Sequence, residues 1–356
     1  MVIRQPFDRR TALKLFGSLI AAADATAALA ADRTADEIAS YRGADRQKML
    51  EAGARKEGAC LVYTVGSQID PVLAAFRAKY PFLTVRTLKD DIPRVVQRVV
   101  QEYRTGIHEV DAFELNDYAL ELLLGQKLLL PFWSPESINF DSDALGPGNC
   151  WVLMRQDFAG LGFNTRAVAP DAAPHVYADL LEPKWKGKMA LAARPSSLAL
   201  WVGALAKSEG EAFVRKLGTQ EVRLYDIGGA AVDGLVASGE APLVLDSRRS
   251  HIYAHQRAGA PVQWRALGPT YAAVSGVALP SKPARPYSAM LLIDFLLSKQ
   301  AQRIYAENLG YVSMRKDMSA PDAPAHKLYL GLDPDFAADY RQWSALAHAA
   351  FERGSL

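Results

Sequence analysis

Cysteine is nearly missing. Two in 356 residues rule out a disulfide scaffold. Net charge is nearly missing as well, since Lys+Arg 41 against Asp+Glu 39 leaves +2. The first thirty residues hold Arg4, Arg9, Arg10 and Lys14 against Asp8 and Asp24, which leaves 37 charges of each sign in the rest. A neutral body argues against a nucleic-acid binder, which needs a basic patch, and against electrostatic attachment to a membrane. Beyond the N-terminus no apolar run is long enough to span a bilayer. The chain also lacks a Gly-x-Ser-x-Gly elbow, a phosphate-binding Walker loop and a Gly-x-Gly-x-x-Gly fingerprint. What is present is a globular composition, 50% hydrophobic and 22% charged. At this length two domains or lobes are expected.

Residues 1–30 read as an export signal. Arg9-Arg10 is followed by Leu13, Lys14, Leu15 and Phe16, then by a weakly apolar run from Gly17 to Leu29. Ala28-Leu29-Ala30 fits a small-x-small cleavage site. The twin arginine resembles a twin-arginine signal, and Asp24 within the apolar run suits that pathway. The expected location is the periplasm, an oxidising compartment. Cys60 and Cys150 read as two buried free thiols, with a pairing left open.

Residues 31–57 predict an amphipathic helical arm. Strands are expected at 60–65, 83–88 and 110–115, with helices opening at Asp70-Pro71 and at Pro93 between them. Residues 131–150 look like a loop, and 151–164 like two extended pieces around Gln156-Asp157. Strands at 188–192, 222–227 and 242–246 then alternate with helices, 262–279 is extended, and 286–309 is apolar and helical. The alternation predicts α/β architecture with right-handed crossovers. Two lobes joined by two crossing segments, 151–164 and 262–279, would place the carboxyl ends of their strands in a shared cleft.

Several segments carry a resemblance. They are Glu57-Gly58 through Tyr63, Pro71–Tyr80, Tyr103-Arg104-Thr105-Gly106 to Asp111, Glu182-Pro183-Lys184-Trp185-Lys186-Gly187-Lys188, Gly228-Gly229-Ala230, and Leu292 to Ser298 through Gly310-Tyr311. Together they span about residues 55–317. In this order they resemble the periplasmic substrate-binding proteins of ABC importers, in the two-lobed class that includes the ferric-ion binders. The resemblance implies a type II periplasmic binding fold (a venus flytrap with two crossover strands), closure around one solute and delivery to a membrane permease. It implies a non-enzyme that needs no cofactor and is expected as a monomer. The expected lobes are 58–155 with 265–310, and 156–264 with 311–356.

The ferric branch draws iron ligands from a histidine after the first strand, a glutamate after the third and two adjacent tyrosines after a later strand. Here those places hold Ser67-Gln68, Asn116, and Asp246-Ser247 leading into Arg248-Arg249. Arginine stays protonated and cannot ligate iron. Iron would need a rebuilt site using Tyr225, Tyr253 or Tyr271.

Arg248 and Arg249 therefore point to an anionic solute: a carboxylate, phosphonate or sugar phosphate. Adjacent helical residues diverge, so one of the two is expected to face the cleft. Arg194-Pro195-Ser196-Ser197 opens a helix after a strand, so Ser196 and Ser197 either hold an anionic head or simply cap. Ser67, Gln68, Asn116, Arg155, Asp157 and Tyr271 complete the expected ligand set. Two further readings remain: a ferric-ion binder using other ligands, and a secreted metal-dependent hydrolase built on His251 and His255. Those histidines lie four apart without the glutamate of the zinc-protease motif, and a solvated helix face explains them as well.

Overall fold

The computed structural model describes residues 33–65, 68–268, 270–318, 320, 323, 324, 327, 328 and 339–352. The expected export signal and Ser67 lie outside them.

The arm is two helices. α1 (Ala35–Ser40) opens on a capping box, in which Thr34 Oγ1 accepts from Glu37 N and the Glu37 carboxylate accepts from Thr34 N. Tyr41 is extended and breaks the run before α2 (Arg46–Glu57). Both helices bury Ile38, Ala39, Leu50 and Ala54 in the first core. β1 (Ala59–Thr64), α3 (Asp70–Lys79), β2 (Thr84–Lys89), α4 (Ile92–Arg104), β3 (Ala112–Asn116) and α5 (Asp117–Gly125) follow as the sequence alternation predicts. β1 lies between β2 and β3, parallel to both. β4 (Leu129–Leu130) precedes a stretch of three short 3-10 turns between 135 and 149.

β5 (Trp151–Asn164) is one continuous strand, buried along its whole length. The expected pair of short pieces does not occur. Gln156 and Asp157, where the break was expected, are buried within the strand, as is Arg155. β6 (Met189–Ala192), α6 (Pro195–Glu209), α7 (Glu211–Gly218), β7 (Arg223–Tyr225), α8 (Gly229–Ser238), β8 (Leu243–Arg248) and α9 (Arg249–Arg257) form the second half. The expected crossing at 262–279 divides into β9 (Val262–Arg265), which pairs with Leu161–Asn164 of β5, and β10 (Thr270–Pro280). Only β10 crosses. α10 (Pro286–Leu297), α11 (Lys299–Arg303) with a π turn at Ile304–Asn308, β11 (Val312–Ser313), β12 (Lys327–Leu328) and α12 (Tyr340–Ala347) complete the described chain. α12 was not foreseen in the sequence. It buries Trp343 and Leu346 against the second core.

The strand order is β2-β1-β3-β10-β5-β8-β6-β7. The long antiparallel strands β5 and β10 belong to both halves. One core gathers Tyr63, Phe76, Phe113, Leu115, Leu292 and Phe295 on the β1 side. The other packs Phe163, Leu191, Trp201, Leu205 and Leu217, with Val232, Val236 and Ile252 forming a smaller cluster. Register shows how the halves face each other. Asn116, at the carboxyl end of β3, pairs with Ser275, and Arg248, at the carboxyl end of β8, pairs with Ala159. Both sets of carboxyl ends therefore meet over the crossing segments at 155–159 and 272–275, where open α/β sheets bind ligands. Cys60 and Cys150 are buried free thiols. Among the described residues, no helix is long and apolar enough to cross a membrane.

Candidate functional site

The first wall of the cleft is built on β1, β3 and β5. Glu114 and Arg155 form an ion pair at 2.5 Å, with side chains 0% and 5% exposed. Thr64 Oγ1 donates to the other Glu114 oxygen. The Arg155 guanidinium lies 4.2 Å from the Tyr311 ring centroid and 5.0 Å from that of Tyr305. Its charge is thus matched within the protein, and Arg155 serves as the keystone of the crossing. Asn116 Oδ1 accepts from Ala119 N at 3.1 Å and so caps α5. Gln68 is half-buried on the turn after β1.

The second wall is built on β8. Register shifts between Gly160 and Gly162 of β5, so that Leu245 and Asp246 bulge opposite Leu161. Asp246 adopts φ 51, a left-handed conformation that aspartate tolerates better than most residues. Bulges re-aim side chains beside functional sites. Here Asp246 accepts from Tyr271 OH at 3.0 Å and stands 3.7 Å from Arg248. Arg248 Nη2 donates to the same phenol oxygen, and its guanidinium lies over the Tyr271 ring at 4.4 Å. The sequence-predicted Arg248 and Tyr271 are thus brought together. The Arg248 side chain is 18% exposed, yet its Nη1 is shut off from solvent and has no hydrogen-bond partner among the described residues. Burial pushes the Asp246 carboxyl up to about 6, with Arg248 pulling the other way. Burial also holds the Tyr271 phenol well above its ordinary range.

A polar network backs this wall. Asp233 on α8 accepts from Ser247 Oγ at 2.5 Å and pairs with His251 Nδ1 at 2.8 Å. Burial pulls the His251 pKa down, but the Asp233 bond and charge outweigh it and the net shift is upward. His251 is therefore a paired, partly buried group, not the solvated helix face expected of it. Asp157 reaches from β5 to the first turn of α9, accepting from Ser250 N at 3.1 Å and Ser250 Oγ at 2.7 Å. The N-terminus of α9 already holds a carboxylate, so any anion there would meet Arg248 rather than free helix amides. Arg249 diverges from Arg248, as adjacent helical residues do, and donates to Gly310 O. Tyr253 OH and Arg257 Nη1 both donate to Glu307 O, at 2.6 and 2.8 Å.

α6 and α8 start after the carboxyl ends of β6 and β7, each without a side-chain cap. Ser196 and Ser197 lie in the first turn of α6. An ideal Cβ on Gly228 or Gly229 would meet only open space, so that turn is accessible. Sequence reasoning missed Glu114, Asp117 and Asp233. Nothing local distinguishes them from surface carboxylates: Glu114 is buried by pairing with Arg155 of a neighbouring strand, and Asp117 and Asp233 by the packing of their helices on the sheet. No group of three or more His, Cys, Asp or Glu side chains able to hold a metal occurs among the described residues.

A family model described as bacterial extracellular solute-binding protein matches residues 72–329. A sequence search of curated proteins gives no significant match. Solved structures share the fold. The substrate-binding protein of an ABC transporter from Agrobacterium tumefaciens aligns with TM-score 0.69 and 15% identity, over 81% of this chain and 94% of that one. The apo ferric ion-binding protein A of Pasteurella haemolytica aligns with TM-score 0.67 and 18% identity, over 84% and 100%. The periplasmic binding protein AfuA of Actinobacillus pleuropneumoniae, solved with fructose 6-phosphate, aligns with TM-score 0.63 and 16% identity, over 84% and 100%. The two-lobed sheet, the facing carboxyl ends and the family match lead to one conclusion: the chain belongs to the bacterial extracellular solute-binding proteins.

Proposed function

We propose that the protein captures a small anionic solute (a carboxylate, phosphonate or sugar phosphate) between its lobes and passes it to a membrane permease, without making or breaking a bond. The carrying observation is Arg248, which keeps a buried Nη1 without a hydrogen-bond partner among the described residues at the carboxyl end of β8. A buried charged donor left unmatched is costly, and an anion arriving in the cleft relieves that cost. The open starts of α6 and α8, with Ser196, Ser197 and the Gly228-Gly229 turn, add helix-end amides on the same wall. Gln68 and Ser67 would contribute from the opposite lobe. Lobe 1 is taken as 58–155 with 265–310 and lobe 2 as 156–264 with 311–356, although the first core also takes in Phe158, Tyr311 and Val312 and the second Leu267 and Tyr271. Closure by hinge bending follows if the ligand contacts both lobes. Export through the twin-arginine-like signal at 1–30 completes the reading.

The neighbours are unlike: one is a ferric ion-binding protein and another was solved with a sugar phosphate. The tyrosines favour the second comparison. Tyr253 and Tyr271 are engaged with Glu307 and Asp246, and burial disfavours the Tyr271 tyrosinate that iron would need. A thermal-shift screen followed by calorimetry on wild type and Arg248→Ala tests the proposal. The expected result is an anion whose affinity falls at least tenfold in the variant, about 1.4 kcal/mol or more. Unchanged affinity contradicts it.

A further inference from the structure

Asp117 is the first residue of α5, directly after the carboxyl end of β3. It is 4% exposed. One oxygen accepts from Tyr118 N at 2.9 Å, and the other, Oδ2, is buried without a partner. Helix-start capping explains the first oxygen and leaves the second unexplained. Among the described residues no cation pairs with this carboxylate, and burial raises its pKa to about 6. Asp117 directly follows Asn116, which pairs with Ser275 of β10, so it stands at the carboxyl edge of the sheet, where the two sets of strand ends meet.

We infer that Asp117 is the acceptor, in the first lobe, for a hydroxyl or ammonium donor on the solute. The claim rests on the anion reading and narrows it, because the solute must then carry both a negative head and a hydrogen-bond donor. Spacing agrees with two such ends. Asn116 faces Ser275 on β10, and Tyr271, which holds Arg248, lies four residues earlier on that strand. Four residues of strand span roughly 13 Å, which two inward-reaching side chains reduce to the length of a polyhydroxy anion. A simple oxyanion would satisfy Arg248 and leave Asp117 Oδ2 unmatched.

The test uses matched solutes on the whole mature protein: glycerol 3-phosphate against propyl phosphate, and citrate against tricarballylate, each second member lacking only the hydroxyl groups. Calorimetry is run on wild type, Asp117→Asn and Arg248→Ala. The expected result is a preference of about tenfold or more for the donor-bearing member of a pair. Asp117→Asn should erase that preference while its melting temperature at pH 7.5 stays level or rises, since a buried carboxylate has been removed. A merely structural aspartate would lower the melting temperature and leave the preference intact. Binding that requires Arg248 but survives Asp117→Asn unchanged overturns this inference and spares the anion reading. No binding of any probe to wild type at millimolar concentration overturns both.

Discussion

Glu114 and Arg155 show what a buried pair demands of single residues. Either charge alone would be stranded in the crossing between the lobes. Glu114→Ala should cost about 3–5 kcal/mol, read from urea unfolding, because it leaves Arg155 buried and uncompensated. A loss below 1 kcal/mol would show that the pair is solvated. Protonation is the second residue-scale lever. Burial raises the carboxyls of Asp111, Asp117 and Asp246 from 3.8 to about 6. Between pH 4 and 6 the folded chain therefore binds more protons than the unfolded chain, so stability grows as pH falls through that window and is lost as pH rises through 6. The melting temperature of the unliganded protein should be higher at pH 5 than at pH 7.5. Asp117→Asn should flatten that slope, and a variant with the wild-type slope would remove Asp117 from the account. Arg155, Arg248 and Tyr271 were named from the sequence as cleft candidates; the structure brings Arg248 onto Tyr271 and closes Arg155 on Glu114. Glu114 was not, because it reaches Arg155 only through sheet register, whereas Asp246 stood beside the arginines in the sequence as an alternative partner.

Among the elements, the strands that cross between the lobes carry the greatest constraint. β5 and β10 approach so closely that a Cβ on Gly276 would sit 2.6 Å from Val152 O, which is rigid backbone. Gly276→Ala should destabilise the protein by about 1–3 kcal/mol, as overpacking does, and should shift the hinge. A neutral result in thermal unfolding would mean that the strands can separate at no cost. Gly160 is confined in the same way by Arg265 O. The arm is tied in as firmly. Arg46 pairs with Asp294 of α10, and Glu57 accepts from Tyr287 N, Ser288 N and Ser288 Oγ at the start of that helix. Apolar periodicity and the Pro and Gly punctuation made the βα alternation of the first half readable. The continuity of β5 was hidden by Arg155-Gln156-Asp157, because a sequence does not show that a polar run will be satisfied from neighbouring strands. α12 was hidden for a related reason: its apolar face is short, and it packs on α6, far earlier in the chain.

For the molecule as a whole, function follows from where the two sets of strand ends meet. A solute bridging Arg248 on one wall and Asp117 on the other would favour the closed arrangement by its differential affinity for it. Small-angle X-ray scattering should then show a smaller radius of gyration with the bound anion than without it, and an unchanged radius would argue for binding to one lobe only. The most direct test of the central claim is a thermal-shift series on the mature protein with carboxylates, phosphonates, sugar phosphates and ferric salts, since a specific ligand raises the midpoint by mass action. A saturable rise with an anion, absent in Arg248→Ala and absent with ferric salt alone, is the predicted result. A rise with ferric salt that no anion reproduces, or with neutral and cationic solutes only, would contradict it.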